Sequence, residues 1–226
     1  MTPDSSRPRH WVIGDVHGCA ESLEELLPRL PQADRLIFCG DVINRGPAIE
    51  ATMTRIWGLV EQGRAVWLRG NHEQDLIQGL RAGSWQSQRQ LAGCDTFRHL
   101  GETSCRRWLE RLEHLPLAYW GDGWVATHAG FDPVSWQPDL RVRMGFWQHY
   151  DGRFGEVVIG HTPGPHVRRL PHIVMVDTGA CYGGELSAYC PETREVVAVP
   201  GLRADSPRPL PGLRSPLSSP RVVAGR

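Results

Sequence analysis

The chain has 226 residues, 40% of them hydrophobic, so it can bury one substantial core. Basic and acidic residues number 25 each, and this balance excludes a global field that would recruit nucleic acid or an anionic membrane. Every residue of the Lys and Arg class is arginine, which excludes a lysine nucleophile or Schiff base.

The first third of the chain alternates strand and helix patterns. Short apolar runs at residues 11–13, 35–39 and 65–68 are each followed by a glycine, which is typical of buried strands. Between them, leucines at helical spacing over 23–30 and apolar residues over 49–60 indicate two helices. This order predicts βαβ units and a largely parallel sheet.

The remainder changes from helix to strand. Residues 72–118 are predicted to be mostly helical, and further strands are predicted at 124–127, 156–159, 173–176, 186–189 and 195–198. An α/β half followed by a β-rich half predicts two packed sheets flanked by helices. We expect a disordered lead over residues 1–9, one folded domain over 10–200, and a disordered Pro-, Ser- and Arg-rich tail over 201–226.

The six cysteines include no C-x-x-C pair, which favours reduced thiols over a disulfide framework. No apolar run approaches the ~20 residues that a membrane span requires, and the polar N-terminus lacks the apolar stretch of a secretory signal. These features predict a cytoplasmic protein.

Five short motifs place Asp, His or Asn beside a glycine directly after a predicted strand. In chain order they are Gly14-Asp15-Val16-His17-Gly18, Gly40-Asp41, Gly70-Asn71-His72-Glu73, His128 and Gly160-His161. Asp and His are ligands that first-row divalent metals favour, and the Asn oxygen is a weaker donor. Ligands gather at the carboxyl ends of strands in open α/β sheets. The pattern therefore predicts a binuclear metal site and phosphoester hydrolysis.

The motifs also carry a family resemblance. Together with Asn44-Arg45-Gly46, Leu68-Arg69, Ala129-Gly130 and Thr162, they resemble the phosphoprotein phosphatase family of calcineurin-like metallophosphoesterases over about residues 11–199. The stretch from Asp177 to Leu186 is similar to one in bacterial serine/threonine protein phosphatases and diadenosine tetraphosphatases. The resemblance implies an α/β/β/α sandwich of two mixed sheets, with residues 10–200 as the catalytic domain.

The same resemblance implies six metal ligands and two divalent ions, expected to be Mn²⁺ with Fe, Zn or Co as alternatives. The ligands are Asp15, His17, Asp41, Asn71, His128 and His161. Asp15 and His17 would hold the first ion, Asp41 would bridge both, and the other three would complete the second. A hydroxide bridging the ions would attack phosphorus.

Three further residues receive roles from the resemblance. His72 would be the general acid that protonates the leaving group. Arg45 and Arg69 would bind the substrate phosphate, a bidentate task suited to guanidinium.

Three positions bear on the branch of the family, and two of them depart from the protein phosphatase pattern. Pro163 stands where the wider superfamily often has a histidine, which favours the phosphoprotein phosphatase branch. Asn44 replaces an aspartate that pairs with the catalytic histidine, and a neutral amide cannot stabilise the charged imidazole. His149 stands where protein phosphatases often have a third phosphate-binding arginine, for which Arg141 or Arg143 could substitute.

Two substrate classes follow from this pattern. The first hypothesis is a serine/threonine protein phosphatase, and the alternative is a hydrolase of dinucleoside tetraphosphates or nucleotide phosphate ends. The expected partner is accordingly a phosphorylated protein or a nucleotide, without a stable nucleic-acid partner or a membrane. The oligomeric state and the physiological substrate stay open.

Overall fold

A computed structural model describes residues 8–82 and 84–202 of the chain. The disordered lead predicted over 1–9 and the tail predicted over 201–226 fall almost wholly outside these residues. Those two assignments, and the domain limits that depend on them, stay predictions.

The elements follow one another in the order that the sequence patterns indicate. Strands β1 (His10–Ile13), β2 (Arg35–Phe38) and β3 (Ala65–Trp67) alternate with helices α1 (Ala20–Leu26) and α2 (Ile49–Glu61). Three helices then succeed one another: α3 (Asn71–Ala82), α4 (Trp85–Ala92) and α5 (Asp95–Glu113). The rest comprises β4 (Ala118–Trp120), β5 (Trp124–Thr127), α6 (Met144–His149), β6 (Glu156–Ile159), β7 (Arg168–Leu170), β8 (Ile173–Met175), β9 (Glu185–Cys190) and β10 (Glu195–Pro200).

The strands form two five-stranded mixed sheets. The first has the order β10-β9-β1-β2-β3 and the second the order β4-β5-β6-β8-β7. Strand β2 pairs parallel with β1 and β3, and β6 pairs parallel with β5 and β8, whereas β9 pairs antiparallel with β1 and β10, β4 with β5, and β7 with β8. The two-sheet fold class predicted from the sequence is confirmed.

Alternation along the central strands divides the core into layers. In β2, Leu36 and Phe38 pack toward helices α1, α2 and α3, while Ile37 packs with Val158 and Val174 of the facing sheet. A third cluster covers the outer face of the second sheet. Because side chains of a strand point alternately to opposite faces, each central strand contributes to two layers, which builds the α/β/β/α sandwich.

Two other expectations can be compared with the structure. All six cysteines are free, and five of them are buried. Over residues 8–82 and 84–202, no helix combines the length and apolar character that crossing a bilayer requires.

Candidate active site

The candidate residues follow the carboxyl ends of five of the six strands with parallel partners. Asp15 comes two residues after β1, Asp41 three after β2, and Asn71 four after β3. In the second sheet, His128 directly follows β5 and His161 lies two residues after β6. Parallel strands end at the same edge of a sheet, and here the corresponding edges of both sheets meet.

The candidate ligand atoms lie within one metal-sized cluster centred on Asp41. Those of His17, Asp41 and His72 lie within 4.8 Å of one another, as do those of Asp41, His128 and His161. Asp41 therefore belongs to two adjacent groups, as a bridging carboxylate would. Asp15 joins the first group through its Oδ2 atom, which lies 3.9 Å from Nε2 of His17.

The hydrogen bonds of two histidines leave their Nε2 lone pairs free. His17 donates Nδ1–H to the carbonyl of Ile43 over 2.7 Å, and His128 donates Nδ1–H to the carbonyl of Cys39 over 2.8 Å. A neutral imidazole that donates through Nδ1 is a bare acceptor at Nε2. Backbone carbonyls of this kind commonly orient metal-binding histidines.

Several acceptors then face one another at short range. Nε2 of His128 lies 2.9 Å from Oδ1 of Asn71 and 3.5 Å from Oδ2 of Asp41. With Asp41 ionised and the amide oxygen of Asn71 facing His128, none of these atoms carries a proton to share, so they repel one another unless a cation lies among them. The donor set of carboxylate, imidazole and amide oxygen fits a first-row divalent ion.

The charges of the cluster favour binding of a cation. Burial, with the neighbouring Asp177 and Asp41 carboxylates, raises the pKa of Asp15 well above its ordinary value. Burial likewise raises the pKa of Asp41 to about 7 and lowers the pKa of His128 to about 4 and that of His161 to about 3. Carboxylates crowded among neutral imidazoles are stabilised by a bound cation.

The backbone around the site is strained. Among the described residues, eight that are not glycine have a positive φ, and five of these belong to the site. The five are His17, Asp41, Asn44, Arg45 and His161. Left-handed backbone in residues with side chains is unfavourable and often occurs at functional sites, because it directs ligand groups inward.

Buried Glu73 holds the loop that carries Asp41. Its carboxylate accepts the backbone N–H groups of Asp41 and Val42 at 2.9 Å each, that of Gly70 at 2.9 Å and that of Ile43 at 3.4 Å. These bonds connect the loops after β2 and β3. The sequence analysis assigned Glu73 no role; its place in Gly70-Asn71-His72-Glu73, beside two proposed site residues, was the available signal.

Asn44 contacts the predicted general acid in a fixed orientation. Its Oδ1 atom accepts the backbone N–H of Thr96 at 2.8 Å and the Thr96 hydroxyl at 2.7 Å. Its Nδ2 amide therefore faces Nδ1 of His72, 2.6 Å away. A backbone N–H can only donate, so rotating the Asn44 amide by 180° would place its NH₂ group against the N–H of Thr96 and leave that N–H without its acceptor. No sequence pattern indicated Thr96.

The predicted phosphate-binding arginines are placed differently from each other. Arg45 lines the metal-site cavity, with its guanidinium 3.2 Å from Nε2 of His72. The guanidinium of Arg69 instead donates to the side chain of Gln74 at 3.0 Å and to the carbonyl of Glu113. Arg69 does not line this cavity, because these acceptors hold it at the C-terminal end of α5.

Two other arginines occupy the cavity. Arg141 pairs with Asp75, and Nε–H of Arg143 donates to Nε2 of His161 over 3.3 Å; both arginines line the cavity of about 360 Å³. His149 lies on α6, where Nδ1 contacts the carbonyl of Gly145, and does not line it. The alternative that Arg141 or Arg143 substitutes for a third arginine therefore fits their positions.

Asp177 is a site residue to which the sequence analysis gave no role. It lines the same cavity, is buried, and accepts the backbone N–H of Gly179 at 3.0 Å. It follows β8 by two residues, as Asp15 follows β1. An aspartate just beyond a parallel strand was the signal that could have found it.

Comparison with known families agrees with this geometry. The family model described as calcineurin-like phosphoesterase matches residues 8–192. The chain belongs to this family. The resemblance stated from the motifs is thereby confirmed, and this chain is a metal-dependent phosphatase.

Three curated relatives differ in the substrates their names state. The chain is 39% identical over 130 residues to a symmetrical bis(5'-nucleosyl)-tetraphosphatase of Ralstonia nicotianae, and the match covers 57% of this chain but only 44% of that protein. It is 26% identical over 227 residues to an asymmetrical bis(5'-nucleosyl)-tetraphosphatase of Oceanobacillus iheyensis, covering 83% of this chain and 90% of that protein. It is 29% identical over 206 residues to serine/threonine-protein phosphatase 1 of Salmonella typhimurium, covering 79% of this chain and 90% of that protein.

A solved structure supports the fold. A protein provisionally described as a diadenosine tetraphosphatase superposes with a TM-score of 0.67 at 21% identity, covering 88% of this chain and 96% of its own. At this identity the similarity establishes the two-sheet architecture and leaves the substrate to the chemistry of the site.

Proposed function

We propose that this calcineurin-like phosphoesterase hydrolyses phosphoanhydride bonds in dinucleoside tetraphosphates or at nucleotide phosphate ends. The observation that carries the proposal is the orientation of Asn44 toward His72. This is the alternative drawn from the sequence, and it replaces the serine/threonine protein phosphatase as the leading hypothesis.

We propose the ligand set that the motifs predicted. Two divalent ions, with Mn²⁺ as the expected pair, would be held by Asp15, His17, Asp41, Asn71, His128 and His161. When bound, such ions activate water for attack and neutralise charge that develops on the phosphoryl oxygens. The protein's contribution is to fix these ligands and to keep the imidazoles neutral.

Asn44 limits what His72 can do as an acid. Protonated imidazole carries N–H on both nitrogens, and the amide of Asn44 offers only N–H to Nδ1. Arg45, another donor, lies beside Nε2, and burial is the first cause of a pKa for His72 lowered to about 3. Asn44 thus offers no acceptor to Nδ1 of a positively charged His72, and Oδ2 of Asp41 lies 3.8 Å from Nε2, beyond hydrogen-bond distance. Proton donation to a strongly basic leaving group is therefore weak.

The two substrate classes differ in how much they need that proton. A serine or threonine alkoxide is a strong base and leaves poorly without protonation. The leaving group of a phosphoanhydride is a phosphate oxygen, whose conjugate acid has a pKa of about 6, so it departs as an anion. A site with a weak acid suits the anhydride.

The arginines suit an extended polyphosphate. Arg45, Arg141 and Arg143 line one cavity, so they can contact more than one phosphoryl group. The phosphate-binding role predicted for Arg69 passes to Arg141 and Arg143 in this proposal. Similarity to two named bis(5'-nucleosyl)-tetraphosphatases gives further support.

The protein phosphatase stays as the second candidate because of the similarity to the Salmonella enzyme. Purified full-length protein with Mn²⁺ should be assayed on diadenosine tetraphosphate and on a phosphoserine peptide. We expect kcat/KM to favour the dinucleotide by at least about a hundredfold, within the range that general acid catalysis contributes.

The control is Asp41→Asn, which should abolish both activities if Asp41 bridges the metal pair. Turnover of the phosphopeptide alone would overturn the substrate proposal. Unchanged activity of Asp41→Asn would contradict the proposed site.

A further inference from the structure

A second cavity adjoins the proposed phosphate site. It has a volume of about 340 Å³ and lies between the loop after β2 and helices α4 and α5. Arg45, His72 and Tyr182 line both this cavity and the one that contains the candidate metal ligands, whereas Asn44, Gly93 and Asp95 line only this one. This volume falls within the range of pockets that bind small molecules.

The cavity opens on the leaving-group side of the site. His72 lines both this cavity and the one that contains the candidate metal ligands. In the proposed mechanism, His72 faces the oxygen that departs from phosphorus. Whatever is attached to that oxygen therefore extends into the second cavity.

We propose that this cavity binds the nucleoside of the departing nucleotide, an inference that rests on the proposed phosphoanhydride hydrolysis. Tyr182 supplies an aromatic ring, with the Arg45 guanidinium 5.1 Å from its centroid. Purine bases stack on such rings. Asp95, with 22% of its side chain exposed, pairs with Arg98 at 3.3 Å and accepts the backbone N–H of Arg45 at 3.1 Å. Each carboxylate oxygen accepts more than one hydrogen bond, so Asp95 can also accept a ribose hydroxyl group.

The charges distinguish a nucleoside from other occupants. The lining contributes one arginine, Arg45, which it shares with the phosphate site, and two carboxylates, Asp75 and Asp95, which pair with Arg141 and Arg98. Away from Arg45, the lining offers no positive charge to a further phosphate group or an acidic peptide side chain. A nucleoside is neutral and carries paired hydroxyls and an aromatic base. The cavity thus binds the uncharged end of the substrate, while the adjoining arginines bind its phosphates.

Gly93 offers a way to block the cavity without disturbing the backbone. Its φ is −87°, and an added Cβ would lie no closer than 3.6 Å to any neighbouring heavy atom. A leucine there is compatible with the local conformation and would occupy space in the cavity. Gly58 on α2 is the matched control, because an added Cβ there meets nothing within 4 Å and it lines none of the cavities described above.

The experiment compares diadenosine tetraphosphate with inorganic tetraphosphate, which has the same anhydride and no nucleoside. Wild-type protein should prefer the dinucleotide. Gly93→Leu should lower kcat/KM for the dinucleotide by about tenfold or more, because the added side chain excludes the nucleoside, and leave inorganic tetraphosphate unchanged. Gly58→Leu should behave as wild type, and thermal melting checks that each variant folds.

Equal effects of Gly93→Leu on both substrates, or none on either, would overturn the cavity assignment while leaving anhydride hydrolysis intact. If wild-type protein hydrolyses neither substrate, the proposed function fails separately. Calorimetric titration with adenosine then tests the cavity directly. Binding to wild type but not to Gly93→Leu supports the assignment, and absence of binding to wild type overturns it.

Discussion

At the scale of single residues, the identity of one atom at position 44 governs the chemistry. An aspartate there would present an oxygen to His72, whereas Asn44 presents an N–H, because Thr96 holds the amide oxygen. The neighbouring metal ligands are unaffected by this difference. The same set of candidate metal ligands could therefore act on substrates with different leaving groups, depending on which residue contacts the proposed general acid His72.

Replacing Asn44 by Asp should broaden the enzyme toward poor leaving groups. The new carboxylate keeps an acceptor for Thr96 and supplies one for protonated His72, whose pKa rises. We expect kcat/KM to increase about ten- to a hundredfold for alkyl phosphates and little for p-nitrophenyl phosphate, which needs no acid.

The control for this substitution is Asn44→Leu, which removes the amide and adds no acceptor. It should not gain activity on alkyl phosphates. An equal change of Asn44→Asp on both leaving groups would refute the role given to the amide.

Sequence reasoning at this scale named candidate ligands that the structure brings together around Asp41. It could not find Thr96, since its contact with Asn44 joins residues 52 positions apart and leaves no local pattern. It placed Arg69 in the site because of its motif, whereas the acceptors at Gln74 and Glu113 that hold the guanidinium depend on tertiary packing.

At the scale of elements, the site depends on strand ends that approach unusually closely. A Cβ added to Gly160 would lie 2.1 Å from Oδ1 of Asp15, and one added to Gly70 would lie 2.2 Å from Oδ1 of Asp41. The glycines beside the ligands therefore do more than turn the chain. They let a loop of one strand lie directly against a carboxylate carried by another.

Gly160→Ala should consequently displace Asp15 or the end of β6. We expect the free energy of unfolding to fall by about 1–3 kcal/mol, which is typical of overpacking. We expect kcat/KM to fall by a larger fraction than the free energy of unfolding does, because catalysis depends on the exact position of Asp15. Denaturant titration and steady-state kinetics provide the two measurements.

Gly145→Ala on α6 is the control for Gly160→Ala, because an added Cβ there meets nothing within 4 Å. It should be close to wild type in both measurements. Wild-type activity in Gly160→Ala would show that the strand ends can separate without consequence.

The central strands were predictable because they are apolar runs followed by glycine. The edge strands β4 and β7 were not predicted: β4 directly follows the stretch predicted to be helical, and β7, with the sequence Arg-Arg-Leu, has no apolar run. Helix α6, with six residues, is too short for a periodic pattern. Short edge elements are defined by pairing with neighbours, which local sequence does not record.

At the scale of the whole molecule, the candidate centre joins the two sheets. Asp15, His17 and Asp41 come from the first sheet, and His128 and His161 from the second. Metal binding would therefore add to the free energy that holds the sheets together, and removal of the metal should weaken the whole fold. At a free metal concentration of 100 times Kd, the stabilisation is about 2.7 kcal/mol.

The pH dependence of the chelated protein tests this coupling. Burial raises the pKa of Asp41 to about 7 and that of Glu73 to about 8, so between pH 6.5 and 8 the folded chain binds more protons than the unfolded chain. Stability then falls as pH rises through this range. The buried histidines, whose pKa values are lowered, act in the opposite direction while their unfolded forms titrate around pH 6.5, and this effect has largely ended by about pH 7.5.

Bound metal replaces those protons, so the protein with metal does not lose this stability as the pH rises. The difference in melting temperature between protein with Mn²⁺ and protein with chelator should thus be larger at pH 8 than at pH 6.5. Asp122→Asn, at a turn between β4 and β5 and outside the cluster, should show the same pH-dependent difference as wild type, whereas Asp41→Asn should reduce it. A metal effect independent of pH, or absent, would mean that the buried carboxylates do not bind the ion that stabilises the fold.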